Sequence, residues 1–337
     1  LFLRILHEES HVANDRPRQA KVSFPATTHN LPRRFSSFIG REHESEALVH
    51  YLLEEKHSLV SIVGEGGVGK TRLALAVGQK LIVNPTTPYV DGVWFVSCAG
   101  IDAGYTAQEQ LAINIGVTIG LRFQGAKSAT EQLTTHLANR AMLLILDSFE
   151  HLLANLSFVV SLLQQARKLQ FLITSRHALP LQSDYSLRLD GLESPPFAQN
   201  EISHKLNEDE LFQLLATPSV QILRERAKTA WSAFTIDRQN GVAAAKLCTL
   251  LDGNPLALEL AATLTNSYDL ATLFAELTHN YTQLAADLQD LPPRQRSIHN
   301  TIDYSWRMLP PELATLMAQC STFRGNFQHE AVAAITN

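Results

Sequence analysis

The sequence predicts an α/β fold, a parallel sheet with helices on both faces, followed by an all-helical region. Three observations predict it. Short apolar runs alternate with amphipathic helical patterns from Phe38 to Leu189, the order of a parallel sheet. One run, Leu59-Val-Ser-Ile-Val63, enters the glycine-rich stretch Gly64-Glu-Gly-Gly-Val-Gly-Lys-Thr71 and then the helix-forming Arg72-Leu-Ala-Leu-Ala-Val77. From Ser194-Pro-Pro196 onward the strand signals vanish and helical periodicity takes over.

Each element follows in order. Residues 1–34 lie before the first domain: the apolar Leu1–Leu6 reads as the end of a helix of an upstream domain, and Glu8–Arg34, polar and with Pro17, Pro25 and Pro32, reads as a linker. Phe38-Ile-Gly-Arg-Glu42 opens a helix whose stripe is Leu48, Val49, Leu52 and Leu53. After the glycine-rich stretch, Gly92–Ser97 reads as a buried strand, and Gln108–Ile119 and Ala129–Ala138 read as helices. Ala141–Asp147 is an aliphatic strand ending in an acid, and helix Leu152–Leu169 leads to strand Phe171–Arg176. Tyr185–Leu189 alternates and makes a fifth strand. The helical region then takes Glu208–Leu215, Val220–Phe234, Val242–Leu251 and Leu256–Leu264, with Gly253-Asn-Pro255 breaking the last two. Beyond Leu291-Pro-Pro293 come helical patterns at Ile298–Met308 and Glu312–Ala318, and the pattern runs to Asn337 without a finishing signal. The expected domains are therefore 35–193, 194–290 and a truncated 291–337.

Composition narrows the partners. A chain of 337 residues with 45% hydrophobic content can bury a sizeable core in two or three domains. Its net charge of −5 gives no general attraction to nucleic acid or anionic membrane. No apolar run approaches the length of a membrane span. Cys98, Cys248 and Cys320 are odd in number and sit in apolar patterns, which reads as core thiols in a reducing cytoplasm.

The chemistry starts at the glycine-rich stretch. Gly64, Gly69, Lys70 and Thr71 fit G-x-x-x-x-G-K-[ST], a phosphate-binding loop. Gly64, Gly66, Gly67 and Gly69 let backbone N–H groups approach a triphosphate closely, and Val68 and Arg72 complete the binding set. The next helix adds its positive end. Lys70 is expected at the β- and γ-phosphates, and the Thr71 hydroxyl on Mg²⁺. Asp147, a carboxylate ending an aliphatic strand, needs a cation; Mg²⁺ is the natural one, and capping the next helix is the other use of such an Asp. Arg176 at a neighbouring strand end either reaches a γ-phosphate or makes a surface salt bridge. Ser148 follows Asp147 where many hydrolysing ATPases place a second acid, and the next acid is Glu150, which speaks against rapid turnover.

The ordered set Phe38-Ile-Gly-Arg-Glu42, Gly64–Thr71, Leu143-Leu-Ile-Leu-Asp147, Leu172-Ile-Thr-Ser-Arg176 and Leu251-Asp-Gly-Asn-Pro-Leu-Ala-Leu258 resembles the STAND (NB-ARC-like) signalling ATPases. Leu146-Asp-Ser-Phe-Glu-His-Leu152 and Thr301-Ile-Asp-Tyr-Ser-Trp-Arg-Met-Leu309 resemble its bacterial transcriptional-regulator branch. The resemblance implies a P-loop NTPase, a helical domain and a partial winged helix that together switch between ADP and ATP, with slow hydrolysis and self-association in the ATP state. It implies that Ile39 and Arg41 lie beside base and ribose, that Pro255 packs on adenine and that Arg176 senses the γ-phosphate. Catalytic roles fall on Lys70, Asp147 and Arg176, with effector and sensor domains outside this stretch. Two departures stand out: Ser148 replaces a frequent Asp or Asn, and Asn254, where Leu is usual before Pro255, reads as a packing variation.

Three other classes compete. A continuously cycling AAA-type ATPase acting on DNA or protein would turn over fast. A zinc protease would use His7-Glu-Glu-Ser-His11, yet that pattern runs into Ala13-Asn-Asp-Arg-Pro17, which stops a helix, and no third ligand follows. A DNA reader would use the last section, where Arg294, Arg296, Arg307 and Arg324 make no continuous basic face, so no direct nucleic-acid binding is expected of it.

Overall fold

The computed structural model describes residues 27–32, 37–181, 185–195, 205–279, 306, 309–321 and 332. Five parallel strands form one sheet in the order β2-β3-β4-β1-β5. They are β1 Leu59–Val63, β2 Val93–Ser97, β3 Met142–Asp147, β4 Leu169–Ser175 and β5 Tyr185–Arg188. β3 is buried along its whole length, whereas β5 alternates half-buried and exposed residues. Position in the sheet explains the contrast: a central parallel strand is covered on both faces, and an edge strand is not. Residues 27–32, expected as linker, line the outer edge of β2 instead. His29 bridges Val93, and the Asn30 side chain accepts from Phe95 N at 2.6 Å and donates to Phe95 O at 2.8 Å.

Strand alternation sorts the core into two layers. Leu144, Leu146, Phe171 and Ile173 face helices α3 (Ala107–Thr118), α4 (Ala129–Leu137) and α5 (Leu156–Gln165). Leu143, Ile145, Leu172, Val60 and Ile62 face α1 (Glu42–Leu53) and α2 (Lys70–Val83). Each fully buried Leu or Ile contributes about 1.5–3 kcal/mol relative to exposure, so the two layers are self-supporting.

A third core joins the helices α6 Glu208–Ala216, α7 Pro218–Ala230, α8 Gly241–Leu250, α9 Pro255–Leu264 and α10 Leu270–His279. Three helices depart from the sequence expectation. The helix expected over Leu152–Leu169 is a 3-10 turn, Glu150–Asn155, followed by α5, and Leu169 already belongs to β4. Helix α7 stops at Ala230 because Trp231 is extended, with φ −144° and ψ 106°. Helix α10 was not anticipated, though its signals are present: Thr272 N donates to the Asp269 side chain at 2.9 Å, and Leu270, Leu273 and Leu277 are buried. Farther on, Pro311–Cys320 is a helix with no buried residue. The pattern Ile298–Met308, apart from Trp306, and the His7–His11 motif lie outside the described residues.

Candidate nucleotide site

The carboxyl ends of β1, β3 and β4 meet at one place, where ligands of open parallel sheets bind. The glycine-rich loop leaves β1 there, with Gly64 N donating to Ser175 O of β4 at 3.3 Å. Gly67 has φ +83° and Gly69 φ +104°, left-handed conformations that a side chain would strain. Gly69 starts α2, and no side chain caps that start, so the first N–H groups of the helix are left for a ligand. Lys70 Nζ donates to the carbonyls of Gly64 at 2.7 Å and Glu65 at 2.6 Å, which suspends its ammonium over the loop. These features make an anion cradle with a mobile-length cation at its centre.

Thr71 and Asp147 converge beside it. The Thr71 hydroxyl donates to Asp147 Oδ1 at 2.6 Å, and Thr174 donates to the same oxygen at 2.7 Å. Ser148 Oγ reaches Asp147 Oδ2 at 3.4 Å. Asp147 is 4% exposed, so hydroxyls rather than water satisfy it. It caps nothing: the 3-10 turn after it starts from Phe149 without a side-chain cap. The donor set fits Mg²⁺, which takes one carboxylate and a hydroxyl from the protein and its other oxygens from phosphate and water. Among the described residues there is no cluster of three or more His, Cys, Asp or Glu for an all-protein metal cage.

The structure separates the remaining expected residues. Val68 is 3% exposed and packs in the core with Leu73 and Ile62, so only its backbone faces the cradle. The Arg72 side chain meets Glu259 of α9 at 3.1 Å, and Ser37 O accepts from its Nη2. Arg41 is buried; its guanidinium bonds Glu44 at 2.6 Å and the Asp190 carbonyl past β5. Ile39 packs against the helical core. Arg176 is neither surface-paired nor alone: Nε lies 3.5 Å from Glu150 Oε1, and both side chains are largely buried.

The helical region closes directly on the loop. Pro255 is the buried first residue of α9 and lies against Gly69. Asn254 is more than a packing variation. Its side-chain oxygen accepts from Leu256 N and Ala257 N, capping α9, while Nδ2 donates to Gly66 O at 3.0 Å. A leucine has no atom for either bond. Leu256 N also donates to Gly67 O at 3.3 Å. Sequence reasoning passed over Asn254, Thr174 and Glu259 in these roles; the Asn before Pro255 was the one signal available, as a helix cap.

Comparison with known proteins agrees with this geometry. Residues 41–179 match the NB-ARC domain family. The "Putative HTH-type transcriptional regulator Rv0890c" of Mycobacterium tuberculosis is 29% identical over 281 residues, which is 83% of this chain and 28% of that protein. "Uncharacterized protein Rv0894" from the same organism is 27% identical over 308 residues, 91% of this chain and 70% of the relative. Among solved structures, a STAND protein with a tetratricopeptide repeat sensor from Pyrococcus horikoshii is similar at TM-score 0.40 and 17% identity, covering 90% of this chain and 37% of that one. The chain thus spans under a third of the regulator it matches. The match to the NB-ARC domain family spans residues 41–179, the stretch that holds the phosphate loop, Thr71, Asp147 and Arg176.

Proposed function

We propose that this chain is the ATP/ADP-binding switch of a STAND-type signalling ATPase, with slow hydrolysis, within a transcriptional regulator. The observation that carries it is the direct seat of Asn254, Pro255 and Leu256 on the phosphate loop. Nucleotide entering the loop has to meet the helical region, so occupancy is felt by a second domain. Lys70 and the N–H groups from Gly64 to Thr71 hold the phosphates, and Thr71 with Asp147 holds Mg²⁺, which neutralises charge on the phosphates when bound. Ile39, Arg41 and Pro255 flank the base, and Arg176 reads the γ-phosphate. Domains 35–193, 194–290 and a winged helix from 291 are the moving parts of this reading, with self-association in the ATP state.

Magnitudes favour a shared switch over a single sensor. Shifting a population from 1:99 to 99:1 takes about 5.5 kcal/mol of differential binding. One charged hydrogen bond supplies roughly 1.5–3 kcal/mol. Arg176 therefore needs help, and the loop contacts of Asn254 and Leu256 are available to be exchanged. Denaturing the purified protein, identifying released nucleotide and measuring turnover of added ATP tests the reading. Bound ADP with turnover far slower than one per second supports a switch; an empty site with rapid turnover supports a cycling ATPase instead.

A further inference from the structure

Glu150 sits in a setting that the nucleotide reading does not use. It lies three residues past Asp147, and the turn carrying it is pinned to the end of β4: Ser148 N donates to Thr174 Oγ1 and Phe149 N to Thr174 O, both at 2.9 Å. That puts its carboxylate against Arg176, with Oε1 3.5 Å from Nε. The Glu150 side chain is 4% exposed, and its Oε2 is buried without a hydrogen-bond partner. A buried carboxylate with one unmatched oxygen is costly unless a cation lies beside it. Arg176 in turn follows Ser175, whose carbonyl accepts from Gly64 N, so Glu150 holds a residue whose backbone adjoins the phosphate loop.

We propose that Glu150 is a positioning residue: by gripping Arg176 at Nε it aims the guanidinium and thereby sets the preference for ATP over ADP. The contact is at Nε, the root of the fork, where an opposite charge restricts the plane of the guanidinium. This rests on the switch reading, in which Arg176 meets the γ-phosphate. It assigns Glu150 no contact with the attacking water.

The test measures ATP and ADP affinities of the whole chain, with a non-hydrolysable ATP analogue, for wild type and three variants. Glu150→Gln removes the charge and is expected to lower the ATP/ADP preference about tenfold while leaving ADP affinity in place. Arg176→Lys keeps a cation but lacks Nε, so it is expected to lose the same preference. Glu150→Asp keeps the charge and is expected to recover part of it. In an Arg176→Ala background, Glu150→Gln should have no further effect, as a shared contact requires. An unchanged preference in Glu150→Gln and Arg176→Lys overturns the proposal. So does loss of hydrolysis at an unchanged preference, which would make Glu150 a catalytic base. Wild type that binds neither nucleotide sinks the switch reading itself, and this inference with it.

Discussion

The sheet and the helical region are each held from within by apolar burial, whereas the seam between them mixes hydrogen bonds and an ion pair with a few apolar contacts such as Ile39 and Pro255. Inside the sheet, Leu144, Leu146, Phe171 and Ile173 are buried to the last few per cent. Across the seam, the polar contacts include Asn254 to Gly66, Leu192 N to Gly253 O at 2.8 Å, and Arg72 to Glu259 at 3.1 Å, a carboxylate that Arg226 shares at 3.0 Å from within the helical region. The difference matters for mechanism. Apolar cores resist opening because opening exposes them, but a hydrogen-bonded seam can exchange its partners for water at small net cost.

Breaking the comparison at its strong end should have the largest effect. Phe171→Ala removes a fully buried ring from the sheet core and should cost about 3–5 kcal/mol, read as a lower denaturation midpoint of the whole α/β part. Gly67→Ala strikes the seam. Its added Cβ would lie 2.8 Å from Asn254 Oδ1 and 2.9 Å from Leu256 Cβ, at a φ of +83°. We expect about 1–3 kcal/mol of strain, relieved by separation of the helical region and visible as a larger scattering radius at nearly unchanged helicity. A Gly67→Ala protein as compact as wild type would mean that the seam is not the weaker joint.

Glu259→Gln is the gentler probe. It leaves two arginines sharing a neutral acceptor and should cost on the order of 1–2 kcal/mol, with faster amide exchange at the start of α9 and little change in β3. A pH series sharpens the same contrast from inside the sheet domain. The Thr130 hydroxyl, with backbone N–H groups of Ala129 and Thr130, holds the Glu109 carboxyl below the usual carboxylate range. A depressed value contributes stability that is present above the ordinary carboxylate range and lost as pH falls through the folded value. Acid should therefore loosen the α3–α4 contact, and Glu109→Gln should flatten that part of the profile. The smallest effect is chemical. Burial pushes the Cys98 thiol far up and that of Cys248 to about 12, so a native-state thiol reagent at pH 8 should label Cys320 alone among the three.

What could be read from the chain beforehand follows the same division. Central strands such as Met142–Asp147 are aliphatic throughout because both faces are covered, and the phosphate loop is a fixed spacing of glycines, so both were legible. The helix before β4 was drawn too long because Leu162, Leu163, Ala166 and Leu169 keep an apolar rhythm across the break at Ala166. Pairings between distant residues left no local trace. Nothing near Arg176 announces Glu150, and nothing near Arg72 announces Glu259. Asn254 was visible as a residue, but its second bond, to Gly66, exists only once two regions meet.

The strand order carries a last consequence, for how such a chain is made. β1 is synthesised first yet pairs with neither β2 nor β3; its partners are β4, where Leu59 faces Phe171, and β5, where Val60 faces Tyr185. As the chain emerges from the ribosome, the phosphate loop hangs on an unpaired strand until those late strands arrive. Loop closure over that separation is slow and entropically opposed. Nucleotide can therefore assist only the final step of folding, and fragments ending before Leu169 should be aggregation-prone rather than weakly active.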